Sequence, residues 1–248
     1  MKVGLVRLIL IFIFLLFWEG ITRFGSTSPI LIAPPSIIIA TIAKILAGSS
    51  QVPDFYRNLR ITALEIGAAY AVTASLGLFI GFIIGKSRLM GDAYEPILLA
   101  LFAIPKVIVY PIIFLILGTE MMPKIVFGVI IGVFSVIFNT AAGLRQVEMS
   151  YITLARSVGC TPLTTFFKVV LPAAAPTILS GLRLGFGYTI IGVVVGELLV
   201  VNAGMGYLID WAAFQYLTPE LYALIILTMT LGIGGYAIFA QVERMWIK

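Results

Sequence analysis

The sequence of 248 residues contains no histidine and a single cysteine, Cys160. Imidazole catalysis and histidine metal sites are therefore excluded, and one cysteine cannot form an intrachain disulfide. The sequence also lacks the Gly-x-x-x-x-Gly-Lys-Ser/Thr loop that cradles nucleotide phosphates. We therefore expect no catalytic residues, no metal site, no cofactor and no ATP hydrolysis in this chain itself.

Charged residues are scarce. They make up 11% of the chain and hydrophobic residues make up 61%, whereas soluble domains have about 25% charged and about 45–50% apolar residues. The apolar runs are about 20 residues long, as in transmembrane helices, and do not alternate as in membrane barrels. The composition predicts an all-α integral membrane protein. The net charge of +5 then bears on topology, and we expect no nucleic-acid partner.

Six apolar segments predict six transmembrane helices, at residues 1–21, 61–85, 96–117, 124–142, 177–201 and 219–240. A cleaved signal peptide is the alternative for the first segment, but no small-x-small cleavage site follows it, which favours an uncleaved span. Residues 36–46 have a helical pattern too short to cross a bilayer, so we expect an interfacial helix. The segments 86–92, 118–123 and 202–218 are interpreted as a charged loop, a tight turn and a glycine-containing loop.

Several predicted spans contain residues that are unusual in a bilayer. Pro105 and Pro111 flank Lys106 in the third span, and such breaks occur where backbone lines a cavity or is buried in protein; a plain kink is the alternative. Intramembrane charges such as Arg183 and Glu197 are functional by default, although pairing with a partner subunit is an equal alternative. The candidate pathway residues are Pro105, Lys106, Pro111, Asn139, Arg183 and Glu197.

The second predicted span combines small residues with one carboxylate. Gly77, Gly81 and Gly85 recur at every fourth position, and small residues allow helix backbones to approach closely in lipid. Glu65 lies near the start of the same span, where a carboxylate needs a partner or a water-lined face unless it is interfacial. The pattern predicts tight helix packing along the glycine face.

Residues 151–172 form the longest stretch in the second half that is neither a membrane span nor a short turn. The pattern predicts two short helices, the first capped by Ser150 and ended by Gly159. The second begins at Thr161-Pro162 with proline in the first helical position, and we expect Leu171-Pro172 to stop it. A helix pair between two spans predicts a docking surface.

The distribution of lysine and arginine predicts the orientation of the chain. With the N-terminus inside, the cytoplasmic segments carry nine basic residues, which are Lys2, Arg7, Lys86, Arg88, Arg145, Arg156, Lys168, Arg244 and Lys248. The opposite side carries five, which are Arg23, Lys44, Arg57, Arg60 and Lys124. Because cytoplasmic loops are enriched in basic residues, both termini and residues 151–172 are predicted to be cytoplasmic.

Residues 151–172 resemble the cytoplasmic coupling loop of binding-protein-dependent ABC importer permeases, and we call them the coupling loop. That loop carries Glu-Ala-Ala, then Gly after three residues, and ends nine residues later in aliphatic-x-Leu-Pro. Gly159, Val169 and Leu171-Pro172 occupy the matching positions, and only the second Ala, Ala155, is kept from the triplet. Thr153 in place of Glu leaves open the salt bridge usually made there. Residues 18–19, 31–36, 103–106 with Pro111, 139–143, 196–199 and 204–207 are similar in order and spacing to nitrate/sulfonate/taurine-type permeases.

This resemblance implies the type I ABC importer permease fold and a set of coupling residues, namely Thr153, Leu154, Ala155, Arg156, Val158, Gly159, Leu171 and Pro172. It also implies an N-terminal helix with an interfacial helix (1–57), a permease domain (58–242) and a cytoplasmic tail (243–248). The implied partners are a cytoplasmic ABC ATPase dimer that binds ATP, a second permease subunit as a homodimer or heterodimer, and a periplasmic or lipid-anchored binding protein. The implied location is a prokaryotic inner membrane.

The implied substrate is a small anion such as nitrate, a sulfonate or taurine, or else a vitamin precursor. A secondary transporter driven by an ion gradient is the alternative function. Such carriers are built from repeated halves with matching broken helices, and the sequence shows no convincing repeat of this kind.

Overall fold

The computed structural model describes residues 2–24, 31–200 and 202–246, and within these residues the chain is helical and contains no β-strand. The α-helices are α1 (Lys2–Phe24), α2 (Pro35–Leu46), α3 (Phe55–Lys86), α4 (Arg88–Ala103), α5 (Tyr110–Leu117), α6 (Met121–Arg145), α7 (Met149–Ser157), α8 (Pro162–Thr165), α9 (Leu171–Leu199), α10 (Met205–Phe214) and α11 (Thr218–Trp246). A 3₁₀ turn, Lys106–Val109, precedes α5, and a π-helical turn, Phe166–Val170, joins α8 to α9. The predicted all-α class is confirmed.

Five helical segments are long and apolar enough to cross a bilayer: Gly4–Phe24, Phe55–Lys86, Met121–Arg145, Pro162–Leu199 and Thr218–Ala237. A sixth candidate is the pair formed by α4 and α5, which is bent by 78° at a short break. The six spans agree with the prediction from hydropathy. The helix α2 has 12 residues and is too short to cross, because a span needs about 20.

Helices α3 and α6 pack side by side and run in the same direction. Their contacts advance along both helices in register, from Glu65 with Lys124 at one end to Gly85 with Leu144 at the other. A Cβ atom added at Gly77 would lie 2.5 Å from Cβ of Val136. The glycines therefore bring the two backbones together, and the predicted packing role of Gly77, Gly81 and Gly85 is confirmed.

The common direction of α3 and α6 determines the topology of the bent pair between them. Since both helices cross the membrane in the same sense, the chain must return across it once between Lys86 and Met121. The helices α4 and α5 therefore form one broken span and not a re-entrant loop.

The boundaries of this broken span correct three predictions. Residues 86–92 are not a loop, because only Ser87 separates α3 from α4. The break lies at Ile104-Pro105, whereas Pro111 lies in the first turn of α5 and bends nothing. The turn before α6 ends at Glu120 and not at Pro123. Hydropathy marks where the chain leaves the apolar layer, but helices continue past that boundary where their ends remain hydrogen-bonded.

Helix α9 packs antiparallel on the same two helices. A Cβ atom added at Gly192 would lie 2.7 Å from Cα of Gly128, and one added at Gly185 would lie 2.5 Å from Val136. The hydroxyl of Thr189, also on α9, donates to Thr73 on α3 at 3.2 Å. Three helices thus share one seam of small and hydroxylated residues.

The chain divides into two compact units. The seam of α3, α6 and α9 belongs to the unit formed by Thr62–Gly196 and Gly232–Lys248. The other unit comprises residues up to Ile61 and Glu197–Leu231. Its core is a cluster of buried apolar residues: Ala33, Ile38, Ile45, Val52, Phe55, Met205, Leu208, Ala212, Ala223 and Leu224.

Residues 202–218 were predicted to be a loop, and that prediction is wrong. They contain the helix α10, whose Met205, Leu208 and Ala212 side chains are fully buried. Glycine and aspartate in a short segment are typical of loops, and for this reason the sequence pattern did not predict the helix. Gly204 instead precedes the first turn with φ +106, and the apolar face of α10 is stabilised by the core it enters.

Candidate functional site: the coupling loop and the broken span

The first helix of the coupling loop is α7, which begins one residue earlier than Ser150. Its N-cap residue is Glu148, and no side chain caps the helix. The hydroxyl of Ser150 donates instead to the Glu148 carboxylate at 3.0 Å. The predicted capping role of Ser150 is therefore wrong, because the helix starts before the serine and carries it in its first turn.

Gly159 terminates α7, as predicted. Its φ is +82, and its N–H donates to the carbonyl of Arg156 at 3.0 Å. The N–H of Cys160 donates to the carbonyl of Ala155 at 3.0 Å. These two bonds form a Schellman motif, which requires a residue in the left-handed conformation. A Cβ atom at Gly159 would meet nothing within 4 Å, so the constraint there is backbone conformation and not space.

The outer surface of α7 is apolar and uncovered. Leu154 is 65% exposed and Val158 is 71% exposed, whereas Ala155 is 6% exposed and faces inward. Thr153 and Arg156 are exposed as well. Across the turn, Leu163 and Phe167 extend the same exposed apolar set. We call Tyr151, Leu154, Val158, Leu163 and Phe167 the coupling surface.

The second helix of the loop continues into the fifth span. Thr161 caps α8, since its hydroxyl accepts from the N–H of Thr164 at 3.3 Å, as predicted. The predicted stop at Leu171-Pro172 is wrong, because Pro162–Leu199 forms one uninterrupted helical segment. The π-helical turn explains this continuity: the N–H of Leu171 donates to the carbonyl of Phe166, five residues back. This wider turn admits Pro172, which lacks an N–H and needs space near the preceding turn.

The coupling loop is anchored to the membrane helices at both ends. Only residues 146–148 separate α6 from α7. At the other end, Phe166, Val170 and the half-buried Leu171 pack on a core of Leu144, Ala174 and Ile178. The loop is therefore joined to α6 by a short connection and to α9 by continuous helix and apolar packing.

Lys106 lies at the break of the third span. Its Nζ donates to the carbonyl of Phe102 at 2.8 Å and lies 4.4 Å from the centre of the Phe102 ring and 5.2 Å from that of Phe134. The ammonium is thus held by one carbonyl and two ring faces, which attract cations. Pro105 beside it and Pro111 in α5 are exposed, and Lys106 is half-buried.

Asn139 lies on α6 and Arg183 lies on α9, and each has its own contacts. The Asn139 amide donates to the carbonyl of Ser135 at 2.8 Å, and its side chain fills the space left by Gly181. The guanidinium of Arg183 lies 5.2 Å from the ring of Tyr236. The contacts described above for Lys106, Asn139 and Arg183 are with different residues.

Glu197 is fully buried in the unit that contains α10. Its carboxylate accepts from the N–H of Gly206 at 2.8 Å, and the N–H of Gly204 donates to Oδ1 of Asn58, also at 2.8 Å. A Cβ atom at Gly204 would collide with the Glu197 carboxylate. Because carboxylates stabilise helix N-termini, Glu197 holds the start of α10 in place.

One buried ion pair was missed from the sequence. Nζ of Lys124 lies 3.4 Å from Oε1 of Glu65, and the two side chains are 1% and 0% exposed. Glu65 had been singled out alone, with Lys124 assigned to the membrane edge. The signal was the equal depth of the two residues in spans that run in the same direction. Within the described residues, no group of three or more Cys, Asp or Glu is placed to hold a metal ion.

The described residues contain up to six membrane spans, with an exposed apolar helix pair between two of them, which defines a multi-pass membrane protein with a docking surface. The family model of the binding-protein-dependent transport system inner membrane component matches residues 76–248. The chain belongs to this family and is the permease subunit of an ABC importer.

Several curated permease proteins are similar in sequence to most of this chain. It is 29% identical over 228 residues to the formylaminopyrimidine transport permease protein ThiX of Halalkalibacterium halodurans, which covers 92% of this chain and 89% of the relative. It is 29% identical to the putative aliphatic sulfonates transport permease protein SsuC of Bacillus subtilis, covering 93% and 82%. It is 32% identical to the nitrate import permease protein NrtB of Synechocystis sp., covering 69% and 61%.

A solved structure has the same fold. A chain of the MetNI methionine ABC transporter in an inward-facing conformation superposes with a TM-score of 0.62 and 18% identity, covering 74% of this chain and 93% of that one. The type I ABC importer permease fold expected from the coupling loop is therefore confirmed.

Proposed function

We propose that this chain forms the translocation pathway of an ABC importer and couples it to a cytoplasmic ATPase dimer through the coupling loop. One observation carries the proposal: α7 ends in a Schellman turn and presents Leu154 and Val158 outward, while Ala155 is its buried residue. An apolar helix face of this kind fits a groove in a soluble partner.

Arg156, exposed on the same helix, would add charged contacts to the rim of that groove. In this mechanism the ATPase subunits bind ATP and this chain supplies no nucleotide site. Their closure on ATP displaces α7, and the short connections to α6 and α9 pass the displacement to the membrane helices. Gly159 keeps the angle between the two loop helices constant. Leu171 and Pro172 keep α8 and α9 continuous, so that the loop moves as a lever and not as a flexible tether.

The orientation we propose places both termini and the coupling loop in the cytoplasm of a prokaryotic cell, with the chain in the inner membrane. The nine-to-five distribution of basic residues supports it. The common direction of α3 and α6 supports it too, because it places Lys86 and Arg145 at the same end as the coupling loop.

The further partners we propose are a second copy of the permease and a soluble or lipid-anchored binding protein that delivers substrate from outside. The domain boundaries after residues 57 and 242 stay a prediction. The alternative function, a secondary transporter, is favoured by no contact in the described residues.

The substrate we propose is a small anion such as nitrate or a sulfonate, or a vitamin precursor. The printed names of the relatives NrtB, SsuC and ThiX support this range. Within this range, Lys106 supports an anionic substrate, because it places a positive charge at the break of the broken span. A helix break at membrane depth is tolerated where the freed backbone groups line a water-filled cavity. Pro105, Pro111, Asn139, Arg183 and Glu197 remain proposed pathway residues, of which Asn139 and Glu197 have the packing roles described above.

The test is co-purification of the ATPase with the chain. We expect Leu154→Asp to reduce the ATPase recovered with the chain more than about tenfold, as for loss of an interface hot spot. The matched control is Leu89→Asp, which changes a leucine at least as exposed as Leu154, at the start of α4 and outside the coupling surface, and should leave recovery unchanged. Equal ATPase recovery with both variants, or ion-driven uptake by the chain alone in liposomes, would contradict the proposal.

A further inference from the structure

The seam of α3, α6 and α9 has an unusual composition. We divide the seam into layers of residues at the same height, starting from the end nearest the coupling loop. The first layers contain the glycines of α3, the next contains the pair Thr73 and Thr189, and the one after it contains Gly128 and Gly192. Gly132 lies against the hydroxyl of Thr189 and the side chain of Thr73, and Gly128 lies against Val193 and Ala69. In such layers the helix backbones are in contact, so the helices have little room to move relative to one another.

The last layer breaks this pattern with a full ion pair. One turn beyond Ala69 and Gly128 stand Glu65 and Lys124, both buried. On α9 the corresponding residue is Gly196, whose added Cβ atom would lie 3.3 Å from Cα of Lys124. An ion pair is costly to bury in a bilayer and contributes little net stability. Packing alone therefore does not explain why charges close the seam.

A hydrogen bond ties the broken span to the same layer. The hydroxyl of Tyr110, the first residue of α5, donates to the carbonyl of Gly196 at 2.8 Å. The Tyr110 ring packs against that of Phe127 on α6, tilted by 56° with 4.6 Å between ring centres, and Tyr110 itself is buried. The seam and the second limb of the broken span therefore meet at this one layer.

This layer lies far from the coupling loop. Lys124 is at the first turn of α6, and Arg145 ends α6 just before α7. The 1.5 Å rise per residue places the two ends of that helix roughly 30 Å apart. The first limb, α4, meets α6 near the loop through Glu95 and Arg145. The second limb, α5, meets the seam at the far layer, and a displacement passed to α5 there must be carried along the three helices over this distance.

We propose that Glu65, Lys124 and Tyr110 are positioning residues that clamp the end of the seam farthest from the coupling loop to the broken span. This inference rests on the proposed coupling function. The clamp makes α5 follow α6 and α9 when the loop moves. If the clamp is removed, the ATPase still hydrolyses ATP, but α5 no longer moves together with α6 and α9.

The experiment uses the full complex of the chain with its ATPase in lipid nanodiscs. The single native cysteine is removed as Cys160→Ala, and one cysteine is introduced on α5 as Ile116→Cys, at an exposed position. The readouts are the rate of ATP hydrolysis and the rate of maleimide labelling, the latter with and without ATP plus vanadate. No substrate is needed.

With Glu65, Lys124 and Tyr110 unchanged, we expect the rate of maleimide labelling at Ile116→Cys to differ between the complex with ATP plus vanadate and the complex without them. In Glu65→Gln the nucleotide-dependent change should shrink about tenfold, a typical coupling between distant sites, while ATP hydrolysis continues. Tyr110→Phe should cause a smaller loss in the same direction. The exchange Glu65→Lys with Lys124→Glu should restore most of the change. The matched control Glu95→Gln, which breaks the half-exposed pair of Glu95 and Arg145, should have no effect.

An unchanged labelling response in Glu65→Gln overturns the proposal. If that variant does not assemble, the double variant Glu65→Gln with Lys124→Met, which leaves no unpaired charge, replaces it. A normal response in the double variant, or its failure to assemble, also overturns the positioning role, because the pair would then be dispensable or needed only for folding. A lost response with continued hydrolysis supports it. If the unmutated clamp shows neither ATP hydrolysis nor a response, the proposed function itself fails.

Discussion

Cα of Gly128 on α6 lies so close to Gly192 on α9 that a Cβ atom on Gly192 would stand 2.7 Å from it. The two helices touch backbone to backbone, with no side chain between them. Close contact of this kind drives helix association in a bilayer, where lipid and side chains are equally apolar. The seam of α3, α6 and α9 is therefore held by fit and not by hydrophobic burial.

The first prediction follows from this contact. Gly192→Val should destabilise the protein by about 1–3 kcal/mol, as overpacking does in well-packed cores. Gly187→Val is the matched control in the same helix, because a Cβ atom there would meet nothing within 4 Å. Thermal unfolding in detergent, followed by loss of the monodisperse chromatographic peak, compares the two. A similar melting temperature for both variants would contradict the role of the contact.

A second prediction concerns the turn of the coupling loop. Gly159→Val places a β-branched residue in the left-handed region, where non-glycine residues cost roughly 1–2 kcal/mol. The spans should stay folded, since no neighbour is within 4 Å, but ATP hydrolysis should no longer drive transport. Gly159→Asn, which tolerates this conformation better, should retain more coupling. The measurement is substrate uptake per ATP hydrolysed in proteoliposomes, and normal coupling in the valine variant would exclude the lever role of this turn.

The third prediction concerns Lys106. Replacing it with Met removes a cation–π contact worth about 0.5–1 kcal/mol at a partly exposed site, so stability should change little. Uptake of an anionic substrate should fall and its half-saturating concentration should rise, because the positive charge at the break is lost. Lys106→Arg retains the charge and should preserve most uptake. Equal uptake by the Met and Arg variants would remove Lys106 from the pathway.

A fourth prediction compares two glycines of positive φ, one after α2 with free space around it and one before α10 where an added Cβ atom would collide. Gly48 and Gly204 both have positive φ, but an added Cβ atom has free space at Gly48 and strikes Glu197 at Gly204. Gly48→Ala should therefore cost roughly 1–2 kcal/mol from conformation alone. Gly204→Ala should cost about 1–3 kcal/mol more from the clash. The difference in thermal unfolding temperature between the two alanine variants measures the collision with Glu197 together with the greater backbone strain at Gly204. Its φ of +106 and ψ of 177 form a conformation almost confined to glycine.

Many local features of the chain were predictable from the sequence. Runs of apolar residues placed the six spans, and Gly159 and Thr161-Pro162 placed the turn between the loop helices. These signals are local, because a glycine's access to positive φ or a proline's missing N–H acts on its own turn. The errors at Ser150, Ser87 and Pro172 arose where a helix continued past a residue that often ends or begins one.

Contacts between distant segments were not predictable. Glu65 lies in the second span and Lys124 in the fourth, and their pairing depends on α3 and α6 running in the same direction. The helix α10 was hidden for the same reason, since its stability comes from a core shared with α2 and not from its own residues.

The sequence by itself determined that this is a membrane protein of six spans with a coupling loop, because hydropathy and helix-ending residues act within a few turns of chain. Only the tertiary structure decided which helices share the small-residue seam, where the buried charges meet, and that α4 and α5 cross the membrane as one broken span. Those outcomes depend on how separate helices fit against each other, and the free energy of that fit is absent from any single segment.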